Sequence, residues 1–164
     1  MLPNPLALQV LVLAPQLISL TSSPHPTTDL TITTTIHNPS TSPITVLKWN
    51  TPLDPRAGVL GVFDIHDEVE NQSVPIDTVK FNRKLPPSED DLVEIAAESS
   101  VQVEVKLPPV TLHAGREYTV KAKGRWHGVW EGNKGEVGGA KLESLDGKAQ
   151  GGDFVSNVAR VRVE

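Results

Sequence analysis

Seven consecutive residues, Val101-Gln102-Val103-Glu104-Val105-Lys106-Leu107, alternate apolar and polar side chains without a break. A period of two places Val101, Val103, Val105 and Leu107 on one side of an extended chain and Gln102, Glu104 and Lys106 on the other, so one face must meet a core and the other water. A helix cannot sort these residues that way. Leu30-Thr31-Ile32-Thr33-Thr34-Thr35-Ile36 repeats the logic, with Leu30, Ile32, Thr34 and Ile36 on one face and three threonines on the other.

Fourteen prolines and twelve glycines cut the chain into short runs rich in Val, Ile, Thr and Leu, and no run sustains a helical period. Further strands are expected over residues 8–13, 17–21, 44–49, 59–65, 74–81, 117–124 and 154–163. Ser88, followed by Glu89, Asp90 and Asp91, can cap one short helical turn. Residues 101–107 and 117–124 flank the turn His113-Ala114-Gly115-Arg116 and are expected to form a hairpin-like pair. The expected fold is all-β, an immunoglobulin-like antiparallel β-sandwich of about seven to nine strands. Its 164 residues suit a single domain over positions 1–164. Residues 126–153 hold most of the glycines and are expected to form a long loop before the last strand, although Trp126 and Trp130 weigh toward order.

Several function classes are excluded or disfavoured. Fifteen Lys and Arg against twenty Asp and Glu leave no basic excess for nucleic acid. Without cysteine there is no disulfide, thiolate zinc site or Cys nucleophile. The histidines 25, 37, 66, 113 and 127 form no His-Glu-x-x-His pair, and no serine lies in a Gly-x-Ser-x-Gly elbow. Asp64-Ile65-His66-Asp67-Glu68 is the best local cluster for a metal or acid–base pair, with Asp64 and His66 on one face of a strand, but a solvated strand end explains it better. Neither a catalytic residue nor a cofactor or metal site is assigned. Trp49 and Phe63 are expected in the core, whereas Trp126 and Trp130, four apart on one strand face, are divided between core and interface.

Residues 6–20 are apolar but broken by Pro15 and Gln16 and lack a preceding basic stretch, so residues 6–14 are expected to be a strand rather than a targeting sequence. That reading favours the cytoplasm over secretion. Asn71-Gln72-Ser73 is a glycosylation sequon, meaningful only in a secreted chain.

Read in order, Thr33-Thr34-Thr35-Ile36-His37-Asn38, Val46-Leu47-Lys48-Trp49-Asn50-Thr51-Pro52-Leu53-Asp54, Val59-Leu60-Gly61-Val62-Phe63 and Gly115-Arg116-Glu117-Tyr118-Thr119-Val120 resemble the propeptide of fungal deuterolysin-type (aspzincin) zinc metalloproteases. The likeness covers roughly residues 28–125, and Leu-Lys-x-x-x-x-Pro-Leu-Asp is its distinctive segment. Where that family carries Ala-Ala-Gly-Glu, this chain has Ala96-Ala97-Glu98-Ser99. The resemblance implies a stand-alone relative of a protease prosegment, without the catalytic domain, that binds a metalloprotease as inhibitor or folding assistant. It adds Leu53 and Asp54 to Trp126 and Trp130 as candidate partner-contacting residues. A general ligand-binding or self-associating sandwich module is the alternative, with a small enzyme behind it.

Overall fold

The computed structural model describes residues 8–19, 27–83, 87–137 and 150–164. Thirteen strands follow one another among them: β1 (Gln9–Leu13), β2 (Leu17–Ile18), β3 (Thr27–Thr28), β4 (Thr31–Asn38), β5 (Ile44–Leu47), β6 (Phe63–Asp67), β7 (Gln72–Ser73), β8 (Leu92–Ile95), β9 (Ser99–Lys106), β10 (Val110–Thr111), β11 (Glu117–Glu131), β12 (Gln150–Val155) and β13 (Ala159–Val163). Four of these, β2, β3, β7 and β10, are two-residue pairings. The remaining nine form the sandwich, as expected.

One layer is the antiparallel sheet β1-β4-β9. Its register sets Ile32 against Val105, Thr34 against Val103 and Ile36 against Val101, so the two alternating runs that define the sequence lie side by side. On the far edge Val10 and Val12 of β1 face Ile36 and Thr34. The inward side chains of all three strands join the main core, with Ile32 and Ile36 fully buried.

The second layer is organised by β11, fifteen residues long. Its first half pairs with β13 on one side and β6 on the other, giving the order β2-β13-β11-β6-β7. Its second half pairs with β12 and β5, giving β12-β11-β5-β8. One strand therefore serves two short sheets.

Several sequence expectations need correction. Residues 101–107 and 117–124 do not form a hairpin: β9 pairs with β4 in one layer while β11 lies in the other. Pro108-Pro109 supplies no backbone donor, which ends β9 and lets the chain cross between layers. Val59 belongs to a 3-10 turn, Ala57–Val59, so strand pairing starts only at Phe63. Residues 74–81 join no ladder and make isolated bonds, Val74 N–H to Ile65 O and Val79 N–H to Val59 O. Pro75 within that stretch removes a donor a ladder would need. The helical turn after Ser88 forms at Glu89–Asp91, with Ser88 N–H donating to Asp91 Oδ2 at 2.9 Å.

The largest correction concerns residues 126–153. Trp126 and Trp130 belong to β11, followed by the short helix α1 (Lys134–Val137); residues 138–149 of the expected loop lie outside the described residues, as do residues 20–21 of an expected strand. At Gly128, glycine serves packing rather than looseness. A Cβ on Gly128 would come within 2.6 Å of the Trp130 ring, so the tryptophan needs a glycine beside it to lie flat on the strand. Trp126 packs at 4.6 Å between ring centroids against Phe154. Burying an indole of this size contributes on the order of 5 kcal/mol of transfer free energy.

Candidate functional site

The four residues nominated from the sequence are all interior. Trp126 is 1% exposed, Trp130 4%, Leu53 8% and Asp54 4%. Trp130 lies with Leu47, Trp49, Leu92 and Val137 in a small secondary core, and Phe63 and Trp126 belong to the main one. The proposal that these four contact a partner is corrected accordingly. Trp126 and Trp130 do not share a face as expected: the register of β11 shifts between Trp126 and Val129, so Trp126 and Val129 enter the main core while Trp130 enters the secondary one.

The distinctive turn at residues 48–56 consumes its own polar groups. Asn50 N–H donates to Asp54 Oδ2 at 2.9 Å and Arg56 N–H to Asp54 Oδ1 at 2.9 Å. Thr51 Oγ1 donates to Lys48 O at 2.7 Å and accepts from Leu53 N–H at 3.1 Å. Arg83 closes the assembly with a short ion pair to Asp54 and a hydrogen bond to Asn50 Oδ1. Its guanidinium also lies over the Trp49 ring at 5.6 Å. Asn50, with φ of 58°, occupies the left-handed region that asparagine tolerates better than most residues. This is a structural knot.

The Asp64–Glu68 cluster is equally committed. Asp64 and His66 do share one face, but Asp64 pairs with Lys123 at 3.8 Å and His66 Nε2 bonds Asn71 Oδ1 at 3.0 Å. Asp67 points inward, pairs with Arg116 at 2.8 Å and accepts the Val69 and Glu70 amides. Burial acts to raise its pKa, yet the hydrogen bonds from Glu70, Arg116 and Val69 outweigh it and hold the carboxyl below its usual range. Among the described residues no three His, Asp or Glu side chains come together to hold a metal. His127 is lowered by burial and by the neighbouring Arg125 and Arg83 charges.

Exposed apolar surface gathers elsewhere, at the corner where the chain changes layer. Pro15 follows β1 and lacks an amide, so β1 ends and the chain moves to the other layer, where β2 pairs in parallel with β13. Arg162 N–H donates to Gln16 O at 2.9 Å and Glu164 N–H to Ile18 O at 2.9 Å. The divergence opens a cleft of about 500 Å³ between Val12, Leu13 and Ala14 on one wall and Val158, Arg160 and Arg162 on the other. Leu13 is 69% exposed, Leu17 53% and Val158 55%. Glu117 bonds Arg160 at 2.8 Å beside the cleft, an interaction that raises the guanidinium pKa.

Asn157 spans the two layers here. Its Oδ1 accepts from Val12 N–H at 2.7 Å and its Nδ2 donates to Val12 O at 3.1 Å. A side-chain amide thus takes the place of a neighbouring strand and closes the outer edge of β1 at that residue. Sequence reading missed this corner. The available signal was Val10-Leu11-Val12-Leu13, apolar on both faces of a strand that has a core on only one side.

A family model described as an immunoglobulin-like domain matches residues 17–163. An uncharacterized secreted protein of the fungus Arthroderma benhamiae is 45% identical over 131 residues, which cover 77% of this chain and 66% of that relative. The chain therefore spans just under two thirds of the relative's length. The word secreted in that name overturns the expectation of a cytoplasmic chain. The expectation had rested on reading the apolar start of the chain as a strand rather than a signal peptide. Neither comparison speaks for the deuterolysin propeptide in particular.

Proposed function

We infer that this chain, which belongs to the immunoglobulin-like domain family, is a secreted, non-catalytic domain that binds another protein at the β1–β2 corner. The supporting observation is that Leu13 and Val158, both more than half exposed, line a cleft that also bears Arg160 and Arg162, with exposed Leu17 next in the chain to its lining residue Gln16. Single exposed apolar residues are ordinary on any surface, but several around one concavity suit an interface. The occupant this chemistry fits is an extended protein segment with apolar side chains next to a carboxylate. Asn157 closes β1 at Val12, so recognition runs through side chains there rather than through added strand pairing.

The partner class we propose is a secreted zinc metalloprotease, which the propeptide resemblance supports. The distinctive turn of that resemblance is buried, so it bears on a shared fold and leaves contact to the corner. Purified chain should inhibit or capture deuterolysin-type proteases, and Leu13→Lys with Val158→Lys should abolish this while leaving the circular dichroism spectrum unchanged. Failure with several such proteases removes that partner class. Capture that survives the double substitution removes the corner.

A further inference from the structure

We propose that Asn71 carries an N-linked glycan, an inference that rests on the secretion reading above. Two asparagines are followed at the second position by Ser or Thr within the described residues. Asn38-Pro39-Ser40 has proline in the middle position, which excludes it as an acceptor, and Asn71-Gln72-Ser73 does not. Their structural settings divide in the same way. Asn38 is fully buried and its Nδ2 is shared among the carbonyls of Ser42, Ile95 and Ala96 at 2.9 to 3.2 Å. A sugar there would destroy the fold.

Asn71, Gln72 and Ser73 are all exposed. The turn that presents them is built from below: Asp67 Oδ1 accepts the Val69 and Glu70 amides, and Asn71 closes the turn with φ of 53°, into the two-residue strand β7. Left-handed geometry swings this residue outward, where asparagine is tolerated. Only Oδ1 is engaged among the described residues, by His66 Nε2 at 3.0 Å, so Nδ2, the atom that would carry the sugar, points away from that contact. In the transfer, a bond forms between Nδ2 and C1 of the first N-acetylglucosamine of a lipid-linked oligosaccharide. The C1–oxygen bond to the lipid pyrophosphate breaks, and the displaced amide proton is taken up as the pyrophosphate leaves.

The position is also one where a glycan does something. Among the described residues β7 is the outermost strand on its side of the layer and pairs only with β6, and Val69 in the same turn is 60% exposed. A glycan at Asn71 would cover that edge and that valine against association with another chain. In the order β2-β13-β11-β6-β7 the binding corner lies at the opposite end, roughly 19 Å away at the usual strand spacing. The two surfaces are separate.

The test is expression of the full chain behind a heterologous secretion signal in a yeast host, which sends it through the glycosylating compartment whatever its native address. Peptide-N-glycosidase F should increase its gel mobility in one step and convert Asn71 to Asp in the peptide mass spectrum. Asn71→Gln and Ser73→Ala should each remove the step, and Ser73→Thr should keep it. Secreted chain with unmodified Asn71 overturns the proposal. A separate search for the native chain in culture fluid tests secretion itself, so a failure there is distinguishable from a failure of the site.

Discussion

The turn at residues 48–56 and the corner between β1 and β2 are opposites. The turn has the sequence segment most easily recognised, and its Asp54, Thr51 and Leu53 are all buried in a closed set of hydrogen bonds. The corner has an unremarkable sequence and holds Leu13 and Val158 in solvent on the walls of a charged cleft, with exposed Leu17 beside it. A tight turn constrains residue types because few side chains can satisfy two backbone amides and a guanidinium at once, as Asp54 does, whereas an exposed leucine constrains nothing inside its own chain. Recognisable sequence here reports the demands of folding. The contact surface we propose falls where those demands are slack.

The heaviest blow to this contrast, or its best support, comes from Asp54. Removing its carboxylate leaves the Asn50 and Arg56 amides without their acceptor and the partly buried Arg83 without its counter-charge, with only Asn50 Oδ1, among the described residues, to accept from it. Loss of one partner of a buried charge pair costs about 3 kcal/mol or more, so Asp54→Ala should shift the urea midpoint strongly. Asp64→Ala, which breaks only the longer, more exposed pair with Lys123, should cost less than about 0.5 kcal/mol. Similar losses for both would show that the turn is not the structural knot described.

A second probe has the opposite sign. Glu98 stands where the propeptide family carries glycine, and its φ is 52°, in the turn between β8 and β9. A non-glycine residue there costs about 1 kcal/mol, so Glu98→Gly should stabilise the chain by about that amount in the same unfolding experiment. No gain would mean that the likeness at this turn has no basis in backbone conformation.

How much of this was legible follows from what each level of sequence encodes. Alternation in residues 30–36 and 101–107 specified two strands and their buried faces, and the structure places them side by side in register. Pairing across layers was not legible. Pro108-Pro109 could equally end a hairpin arm or begin a crossing, and nothing local distinguishes the two. β11 was cut short because Gly124 and Gly128 look like loop residues until Phe154 and Trp130 are seen lying against them. The corner stayed hidden because exposure of Leu13 depends on the absence of a covering strand, which is a property of the assembled sheets.

Acid should separate the interior from the surface more gradually. The fold holds Asp67 ionised below its ordinary pKa, so its stabilisation is complete above the unfolded value near 3.9 and is lost as pH falls through the lower folded value. The pKa of His127, on the exposed face of β11, is lowered by partial desolvation and the Arg125 and Arg83 charges, so protonation of the unfolded chain begins to cost stability below about pH 6.5. Melting temperature should therefore decline on acidification in two stages. His127→Gln should remove the earlier stage and Asp67→Asn the later, and a profile unchanged by either would separate these groups from the pH response.

Asn157 offers a smaller and more local test. Asn157→Ala removes two hydrogen bonds to Val12 and leaves the outward backbone of β1 facing the cleft, at a cost of about 1 kcal/mol. Because the strand edge is then open, the variant should also self-associate more than the parent chain in light scattering. Unchanged mass with unchanged stability would show that the amide does not guard the edge.

Leu13→Ser should have the smallest effect on the fold and is the sharpest test of the contrast. Leu13 is 69% exposed on the outer face of β1, opposite Thr33 of β4, so losing it takes almost no apolar area out of the core. Surface changes of this kind stay within about 0.5 kcal/mol, and serine at a strand's solvent face leaves the ladder with Thr33 intact. Partner capture should nonetheless fall, because the side chain lines the cleft wall facing Val158 and Arg160. A leucine removed without loss of either stability or binding would be an ordinary exposed residue, and the corner would have no more claim to contact than any other part of the surface.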